Sequence, residues 1–282
     1  MRRELDCAGH VLDLTRPCVM GVLNVTPDSF SDGGEFIAAD SAIEHALAME
    51  AAGAAIIDVG GESTRPGSEG VTVEEELRRV LPILEALSQT VSVPLSIDTS
   101  KPEVMQAAAD SGAGLINDVM ALRRPGALEA AASTGLPVCL MHMQGSPKTM
   151  QNAPQYGDVV TEVRDFLAER LQVAENAGIS RQRLILDPGF GFGKTDPHNA
   201  ALLRGLGEIA ALGAPVLAGL SRKSLVGRVL GREMSQRLPG SLAAATLAVW
   251  NGAKIIRAHD VAETVDAVRL CDYVMTTAAG VD

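Results

Sequence analysis

The sequence repeats one unit along most of its length: a short apolar run that ends in a polar residue, then a loop, then a segment with helical spacing. The apolar runs are "CVMGVLNV", "AAIIDVG", "PLSIDTS", "GLINDVM", "PVCLMHM", "LILDPGFG", "PVLAGLS" and "AKIIRAHD". They are apolar throughout rather than at alternate positions, which is typical of parallel strands covered on both faces. Eight strand–helix units in one chain predict the α/β class and a single-domain (β/α)8 TIM barrel.

A doubly wound open sheet is the alternative to a barrel. It is disfavoured because no apolar run is followed by a GxGxxG turn with an acidic residue further along the chain. No low-complexity linker divides the sequence, so we expect residues 1–282 to form one domain, with residues 1–16 as a lead-in hairpin or cap under the barrel. Capping residues predict that helices begin after Asp40 or Ser41, after Ser100 and after Ser241.

The composition limits the partners and the location of the protein. A net charge of -11 argues against general binding to nucleic acid or anionic membranes, which require a cationic surface, but it permits an anionic small substrate. The four cysteines lack metal-ligand spacing, which favours a reducing compartment. The sequence has no secretory leader pattern and no apolar run of about 18 residues, so we expect a cytoplasmic protein without a membrane span.

Polar residues follow nearly every apolar run. In a barrel, the carboxyl ends of the strands meet at one mouth, where active sites form. These residues are Asn24, Asp58, Asp98, Asn117, Asp118, His142, Asp187, Ser221, Arg222, Lys223, Arg257 and His259. Any single one could be a helix cap or a structural hydrogen-bonding residue, and we assign only such a structural role to His142. The whole ring indicates a ligand site.

The ring divides by chemistry. Asp98, Asn117 and Asp187 offer acceptors and an amide, which suit a planar heterocycle with amino and ring N–H donors. The candidate cations suit phosphate or carboxylate. They are Arg65, Lys223, Arg257 and His259. Asn24 lies next to an acidic loop and could ligate Mg2+, which prefers oxygen ligands and phosphate. Together these groups predict a ligand that joins an aromatic base to a phosphate group.

Two Gly-rich loops follow strand ends. The segment "DPGFGFGKT" does not have the spacing of a phosphate-binding P-loop; its glycines would let the backbone approach a flat ligand. We expect either Phe190 or Phe192 to pack near that ligand and the other to anchor the loop. The segment "GGESTRPGSEG" is long for a connection, and it carries Thr64 and Arg65 toward the predicted mouth.

Long motifs in this order resemble the dihydropteroate synthase family. They are "MGVLNVTPDSFSDGG", "IIDVGGESTRPGS", "SIDTSKPEV", "INDV", "MHMQGSPKTMQ", "ILDPGFGFGK", "GLSRKS" and "RAHDV". The resemblance covers the chain from about Cys18 to its last helix and implies a (β/α)8 barrel. It also implies condensation of 6-hydroxymethyl-7,8-dihydropterin diphosphate with p-aminobenzoate to 7,8-dihydropteroate and diphosphate, with Mg2+ as cofactor and a homodimeric assembly.

The resemblance also implies roles for individual residues. Its pterin site falls on Asp98, Asn117, Met141, Asp187, Lys223 and Arg257. Its diphosphate site falls on Asn24, Thr64, Arg65, Arg257 and His259. Its p-aminobenzoate site falls on Phe30, Thr64, Pro66, Phe192, Ser221, Arg222 and Lys223. The catalytic charges are assigned to Asp98, Asp187, Lys223 and Arg257.

The loop after Asn24 is then interpreted as a lid. Asn24 would touch the metal, with Asp28 and Asp32 as candidates to reach it when the loop closes. Phe30 would cover the aromatic amine, and Gly33 with Gly34 would act as the hinge. We expect this lid to be poorly ordered, or displaced, in a structure without both ligands.

Three other functions remain alternatives at this point. A pterin-dependent methyltransferase would share Asp98, Asn117 and Asp187, but it would not need "SRKS" or the acidic loop after Asn24. A catalytically silent pterin-binding paralogue would be expected to lack a loop or a cation of the ring. An aldolase-like barrel enzyme would usually require a Schiff-base lysine within a strand, whereas Lys223 lies beyond a strand end.

Overall fold

The structure, a computed structural model, describes residues 4–25, 35–63, 68, 70–145, 148–151 and 153–277. Within these residues a two-stranded antiparallel hairpin precedes a barrel of eight parallel strands. The hairpin strands are β1 (Glu4–Cys7) and β2 (His10–Asp13). The barrel strands are β3 (Cys18–Asn24), β4 (Ile56–Gly60), β5 (Leu95–Asp98), β6 (Leu115–Asp118), β7 (Val138–Met141), β8 (Leu184–Asp187), β9 (Leu217–Ala218) and β10 (Ile255–Ala258).

All eight barrel strands coincide with the apolar runs of the sequence, so the predicted fold class is confirmed. The hydrogen-bonded order is β8-β7-β6-β5-β4-β3-β10-β9. The remaining gap between β8 and β9 is bridged because Leu186 pairs in parallel with Val216 and its N–H donates to the Pro215 carbonyl oxygen over 2.9 Å. Each strand ends at the same rim, which places the strand-end residues together.

Helices cover the outside of the barrel. In the described part of the chain they are α1 (Glu35–Ala51), α2 (Val73–Ser88), α3 (Pro102–Asp110), α4 (Ala127–Thr134), α5 (Val159–Asn176), α6 (Asp196–Arg204), α7 (Leu206–Ala210), α8 (Ser224–Leu230), α9 (Leu238–Trp250) and α10 (Val261–Thr276). Their apolar faces form one large core against the outer face of the strands. None of these described helices combines the length and the apolarity needed to span a bilayer.

The predicted helix starts at Asp40 or Ser41, Ser100 and Ser241 are wrong. Helix α1 already begins at Glu35. Pro102 sets the start of α3, since a proline in the first turn has a fixed φ and no N–H to be capped. Ser241 lies inside α9, where its hydroxyl donates to the Arg237 carbonyl oxygen over 2.9 Å. Side-chain caps occur instead at Thr72, Asp158 and Thr195.

The hairpin closes the amino end of the barrel. Leu5, Cys7 and Leu12 pack in a separate buried cluster with the first residues of the barrel strands. The hairpin lies so close to β6 that a Cβ built on Gly114 would be 2.5 Å from the Cys7 carbonyl oxygen. Because apolar side chains fill this end, the buried polar groups inside the barrel concentrate at the opposite rim.

Candidate active site

The carboxyl rim brings together most of the ring predicted from the sequence. Asn24, Asp98, Met141 and Asp187 are the last residues of their strands. Asp98 lies beside Asn117 in the register of β5 and β6, and Met141 lies beside Asp187 in that of β7 and β8. The predicted pterin residues therefore share one mouth, although they are distant in sequence.

An ion-paired guanidinium occupies the centre of this mouth. Arg257 Nε donates to Asp58 Oδ2 over 2.6 Å, and Arg257 Nη2 donates to Asp98 Oδ2 over 2.9 Å. The Asn117 amide also donates to Asp58 Oδ2, over 3.1 Å. The sequence analysis gave Asp58 no specific role. Its position within the otherwise apolar run "AAIIDVG" was the available signal, since a fully buried carboxylate needs a cationic or hydrogen-bonding partner.

One oxygen of each carboxylate is left over. Asp58 Oδ1 and Asp98 Oδ1 are buried and have no hydrogen-bond partner among the described residues. Burial raises the pKa of Asp98 to about 7, with the Arg257 charge opposing this shift and the Asp58 charge adding to it. Burial tends to lower the pKa of Arg257, but the charges of Asp58 and Asp98 outweigh it and raise the pKa overall. The guanidinium is therefore permanently charged, whereas Asp98 can respond to a ligand.

A second carboxylate and an aromatic ring line the opposite side. Asp187 Oδ1 accepts the Gly189 N–H over 2.7 Å, which opposes the rise that burial causes in the pKa of Asp187. Lys223 Nζ lies over the Phe192 ring, 4.3 Å from its centroid. Burial lowers the pKa of Lys223 to about 8, while the charge of Asp187 acts to raise it. Phe190 is buried in the core, so of the two phenylalanines it is the loop anchor.

Two predicted contributors have roles that differ from the expectation of free cations. Ser221 Oγ accepts the His259 N–H over 3.2 Å and lies 3.0 Å from His259 Nδ1. Burial, followed by the charge of Arg257, lowers the pKa of His259 to about 4, so the imidazole is neutral at pH 7. The exposed Arg222 side chain forms a two-bond ion pair with Asp260. Both residues can still donate hydrogen bonds to a ligand, but His259 does so without charge.

The surroundings of Asn24 fit a weakly held hard cation. A Cβ built on Gly60 would lie 3.6 Å from Asn24 Oδ1 and 3.8 Å from Asp98 Oδ2, so glycine keeps open the space between these two oxygens. The described residues contain no group of three His, Cys, Asp or Glu side chains that could hold a metal ion. One amide oxygen suits Mg2+ only if substrate phosphate and water supply the other ligands.

Several predicted contributors fall outside the described residues. They are Asp28, Phe30, Asp32, Gly33, Gly34, Thr64, Arg65 and Pro66. Their assignments, including the lid, stay predictions.

Two buried lysines near the mouth were not recognised from the sequence. Lys101 forms ion pairs with Glu62 and Glu76, and so joins the loop after β4 to α2 and to the start of α3. Lys194 Nζ lies 2.9 Å from His142 Nδ1, which supplies the structural hydrogen bond expected for that histidine. The partners of both lysines are remote in sequence, and a single lysine forms no hydrophobic pattern that would reveal its burial. Neither contact could therefore be predicted from the sequence.

Comparison with known proteins places this site in a family. Residues 20–259 match the family model described as pterin binding enzyme. The chain belongs to the pterin-binding enzyme family. It is 56% identical over 273 residues to the dihydropteroate synthase of Escherichia coli K12, covering 97% of each chain. The resemblance drawn from the motifs is confirmed, as is the prediction of an enzyme of the dihydropteroate synthase type.

Solved structures of this family agree with the fold. A dihydropteroate synthase of Xanthomonas albilineans with 4-aminobenzoic acid matches at a TM-score of 0.93 and 54% identity, over 99% of this chain and 100% of that one. A structure of the enzyme from the same organism in complex with 7,8-dihydropteroate matches at 0.89 and 52% identity, over 98% and 100% of the two chains. The pterin-binding family member described here therefore shares their barrel over nearly its full length.

Asp58→Ala tests the central cluster of this family member. We expect a loss of about 3 kcal/mol in the free energy of unfolding, because Arg257 and Asn117 lose a buried acceptor. Urea unfolding followed by circular dichroism measures this. The control is Asp165→Ala, which removes an exposed partner of Arg164 and should leave the unfolding midpoint nearly unchanged. Equal effects of the two substitutions would contradict the central role of Asp58.

Proposed function

We propose that this enzyme condenses 6-hydroxymethyl-7,8-dihydropterin diphosphate with p-aminobenzoate, giving 7,8-dihydropteroate and diphosphate. The observation that carries the proposal is the pair of buried carboxylates at the barrel mouth, Asp98 and Asp187, with the Arg257 guanidinium bonded to Asp98. The complexes of the Xanthomonas albilineans relative with 4-aminobenzoic acid and with 7,8-dihydropteroate support it.

Asp98, Asn117 and Asp187 would hold the pterin. The amino group and ring N–H groups of a pterin present parallel donors, which a carboxylate accepts in pairs. Asp98 keeps Oδ1 available for one such donor, since Oδ2 is bonded to Arg257. Met141 and the Arg257 side chain would contact the faces of the ring. In this arrangement the ring is fixed by groups that are already immobilised by the barrel.

The carbon–oxygen bond to diphosphate would break before the new carbon–nitrogen bond forms. The positive charge left on the pterin is delocalised, and the carboxylates of Asp98 and Asp187 would stabilise it. Arg257, with hydrogen bonds from His259, would hold the departing diphosphate. Asn24 would contribute to holding Mg2+, which neutralises phosphate charge when bound. The assignments of Thr64, Arg65 and Asp32 to this end of the site remain part of the proposal.

p-Aminobenzoate would lie against the Phe192 ring and Lys223. Its amine is neutral at pH 7 and nucleophilic, so it needs orientation more than activation. Ser221 and Arg222 would bind near its carboxylate, together with the predicted contributions of Phe30, Thr64 and Pro66. The amine attacks the pterin methylene carbon and then loses a proton. No serine nucleophile and no covalent enzyme intermediate take part.

Turnover tests the reaction directly. Purified enzyme with Mg2+, pterin diphosphate and p-aminobenzoate should release one diphosphate for each 7,8-dihydropteroate formed, measured by chromatography and a phosphate-release assay. Mass spectrometry of acid-quenched enzyme should show the unmodified chain mass. Binding of the pterin diphosphate without product would favour the silent paralogue. A pterin-modified side chain would refute the direct-attack mechanism.

Asp187→Asn tests the placement of the pterin. An amide cannot accept two N–H bonds side by side, so we expect the affinity for pterin diphosphate to fall by about 1.5–3 kcal/mol. Isothermal titration calorimetry measures this. Lys223→Ala is the comparison, because it should weaken the binding of both substrates. Wild-type pterin affinity in Asp187→Asn would show that the pterin lies elsewhere.

A homodimer and a cytoplasmic location are also proposed. The reduced state of Cys7, Cys18, Cys139 and Cys271 is consistent with a reducing compartment.

Apolar side chains are exposed on α8, α9 and α10, where α9 and α10 pack side by side. They include Val229, Leu230, Leu247, Trp250, Leu270, Tyr273 and Val274. A surface of this kind supports self-association.

Trp250→Glu tests the dimer. Trp250 is 56% exposed on α9, and a carboxylate there should convert the dimer into a monomer in sedimentation-velocity experiments. The control is Val11→Glu, because Val11 is 65% exposed on β2 of the hairpin rather than on α8, α9 or α10, and its substitution should not affect assembly. A monomeric wild-type protein would refute the dimer, and a dimeric Trp250→Glu variant would exclude this face.

A further inference from the structure

Lys194 is a buried charged residue that the proposed reaction does not use. Only 1% of it is exposed, and the charges that act on it are those of Asp187, which raises its pKa, and Lys223, which lowers it. Its ammonium lies among acceptors. Nζ donates to the carbonyl oxygens of Gly189 over 2.9 Å and Phe192 over 3.0 Å, and it lies 2.9 Å from His142 Nδ1. Burial lowers the pKa of Lys194 to about 7. A methionine would fill this position without the desolvation of an amino group, so the presence of that donor requires an explanation.

The ammonium lies inside a fold of its own glycine loop. Gly189 and Gly193 have positive φ values, and a Cβ on either would collide with a carbonyl oxygen, that of His142 at 1.9 Å and that of Gln144 at 2.6 Å. The loop from β8 is therefore pressed against the end of β7. Its carbonyl groups point to donors, including Tyr156, whose hydroxyl donates to the Gly193 oxygen over 2.8 Å. Lys194 serves two loop carbonyls at once, those of Gly189 and Phe192.

His142 provides the other end of the contact. Its Nδ1 faces an ammonium, so the imidazole must be neutral and must accept through that nitrogen. Burial, followed by the charge of Lys194, lowers the pKa of His142 to about 3. The ring also packs edge-on against Phe166, with centroids 4.9 Å apart. These contacts hold His142 in place at the end of β7. Lys194 therefore connects the glycine-rich segment "GFGFGK" to a residue that the barrel positions.

The loop held by Lys194 carries two groups of the mouth. At one end, Gly189 donates to Asp187. At the other, the Phe192 carbonyl bonds to Lys194 while the Phe192 ring lies against Lys223. Asp187 is placed mainly by strand β8, whereas Phe192 has no strand of its own. The position of the aromatic ring therefore depends on Lys194 more than the position of the carboxylate does.

We propose that Lys194 is a positioning residue whose ammonium sets the Phe192 ring against Lys223 and thereby shapes the binding site for p-aminobenzoate. This rests on the proposed function, because that function places p-aminobenzoate at Phe192. Lys194 does not touch the substrate. It positions a loop segment that no strand holds. Its loss should therefore weaken the binding of p-aminobenzoate more than the binding of the pterin.

Lys194→Met is the decisive variant. It keeps roughly the length of the side chain and removes every donor. The Phe192 carbonyl then loses the Lys194 donor, whereas the Gly189 carbonyl still accepts the Phe192 N–H over 3.1 Å. We expect KM for p-aminobenzoate to rise by about 10–100-fold, as for misplacement of a binding group by about 1 Å, while the Kd for pterin diphosphate changes far less. Steady-state kinetics and calorimetry measure the two quantities.

The control separates positioning from stability. Leu171→Ala removes a buried side chain of α5, away from the mouth, and lowers the stability by cavity formation. It should leave KM for p-aminobenzoate unchanged at a comparable loss of Tm. If Lys194→Met behaves in the same way, the inference is wrong. If Lys194→Met does not fold, Lys194→Gln, which keeps amide donors without charge, is measured in its place and must raise the same KM.

A spectroscopic readout reports on the contact itself. In the wild type the His142 imidazole should stay neutral across the pH range in which the protein is folded. In Lys194→Met its pKa should rise, since the adjacent positive charge is gone, and NMR titration of the imidazole signals detects this. An unchanged His142 titration would overturn the inference. If the wild type made no dihydropteroate, the proposed function would fail; a productive wild type with an unaffected variant would refute only the role of Lys194.

Discussion

The Arg257 guanidinium, held between Asp58 and Asp98, is the interaction on which the mouth of the barrel depends. It joins β10 to β4 and β5, which come much earlier in the sequence, at the carboxyl rim of the barrel. When Asp98 is ionised, two carboxylates and one guanidinium leave an excess of negative charge. Asp58 Oδ1 and Asp98 Oδ1 have no hydrogen-bond partner in the described part of the chain. Such groups are costly in an interior but useful where a cationic or donor-rich ligand supplies what is missing.

The opposite end of the barrel explains why this charge is confined to one rim. The hairpin of β1 and β2 fills the amino end with Leu5, Cys7 and Leu12, and it packs so closely that Gly114 cannot carry a side chain without displacing the Cys7 carbonyl. Apolar packing and buried charge are thereby separated along the barrel axis, one at each end. Substitutions at the mouth can therefore alter ligand binding without disturbing the apolar packing at the amino end.

Sequence patterns predicted the strands better than they predicted the contacts. Each parallel strand is buried on both faces, so its composition alone marks it, and the polar residue that ends it marks the rim. The partners at the rim depend on packing between remote segments: Asp58 and Arg257 are 199 residues apart, and Lys194 and His142 are 52 apart. The helix starts predicted at Ser100 and Ser241 were wrong. A proline in the first turn, rather than a capping hydroxyl, marks the start of both α3 and α9.

The charge state of a site residue, like its contacts, depends on the folded structure and is not visible in the sequence pattern. His259 was predicted to be a cation, but its burial and the charge of nearby Arg257 keep it neutral. The converse holds for Asp98, whose pKa near 7 leaves its ionisation sensitive to what binds. Under the proposed function, pterin N–H donors at Asp98 Oδ1 favour the carboxylate form, so binding would lower that pKa. The site would then carry its full negative charge only when the pterin is present. Positive charge that develops on the pterin ring would lie beside the Asp98 carboxylate, whose ionisation the substrate itself had favoured.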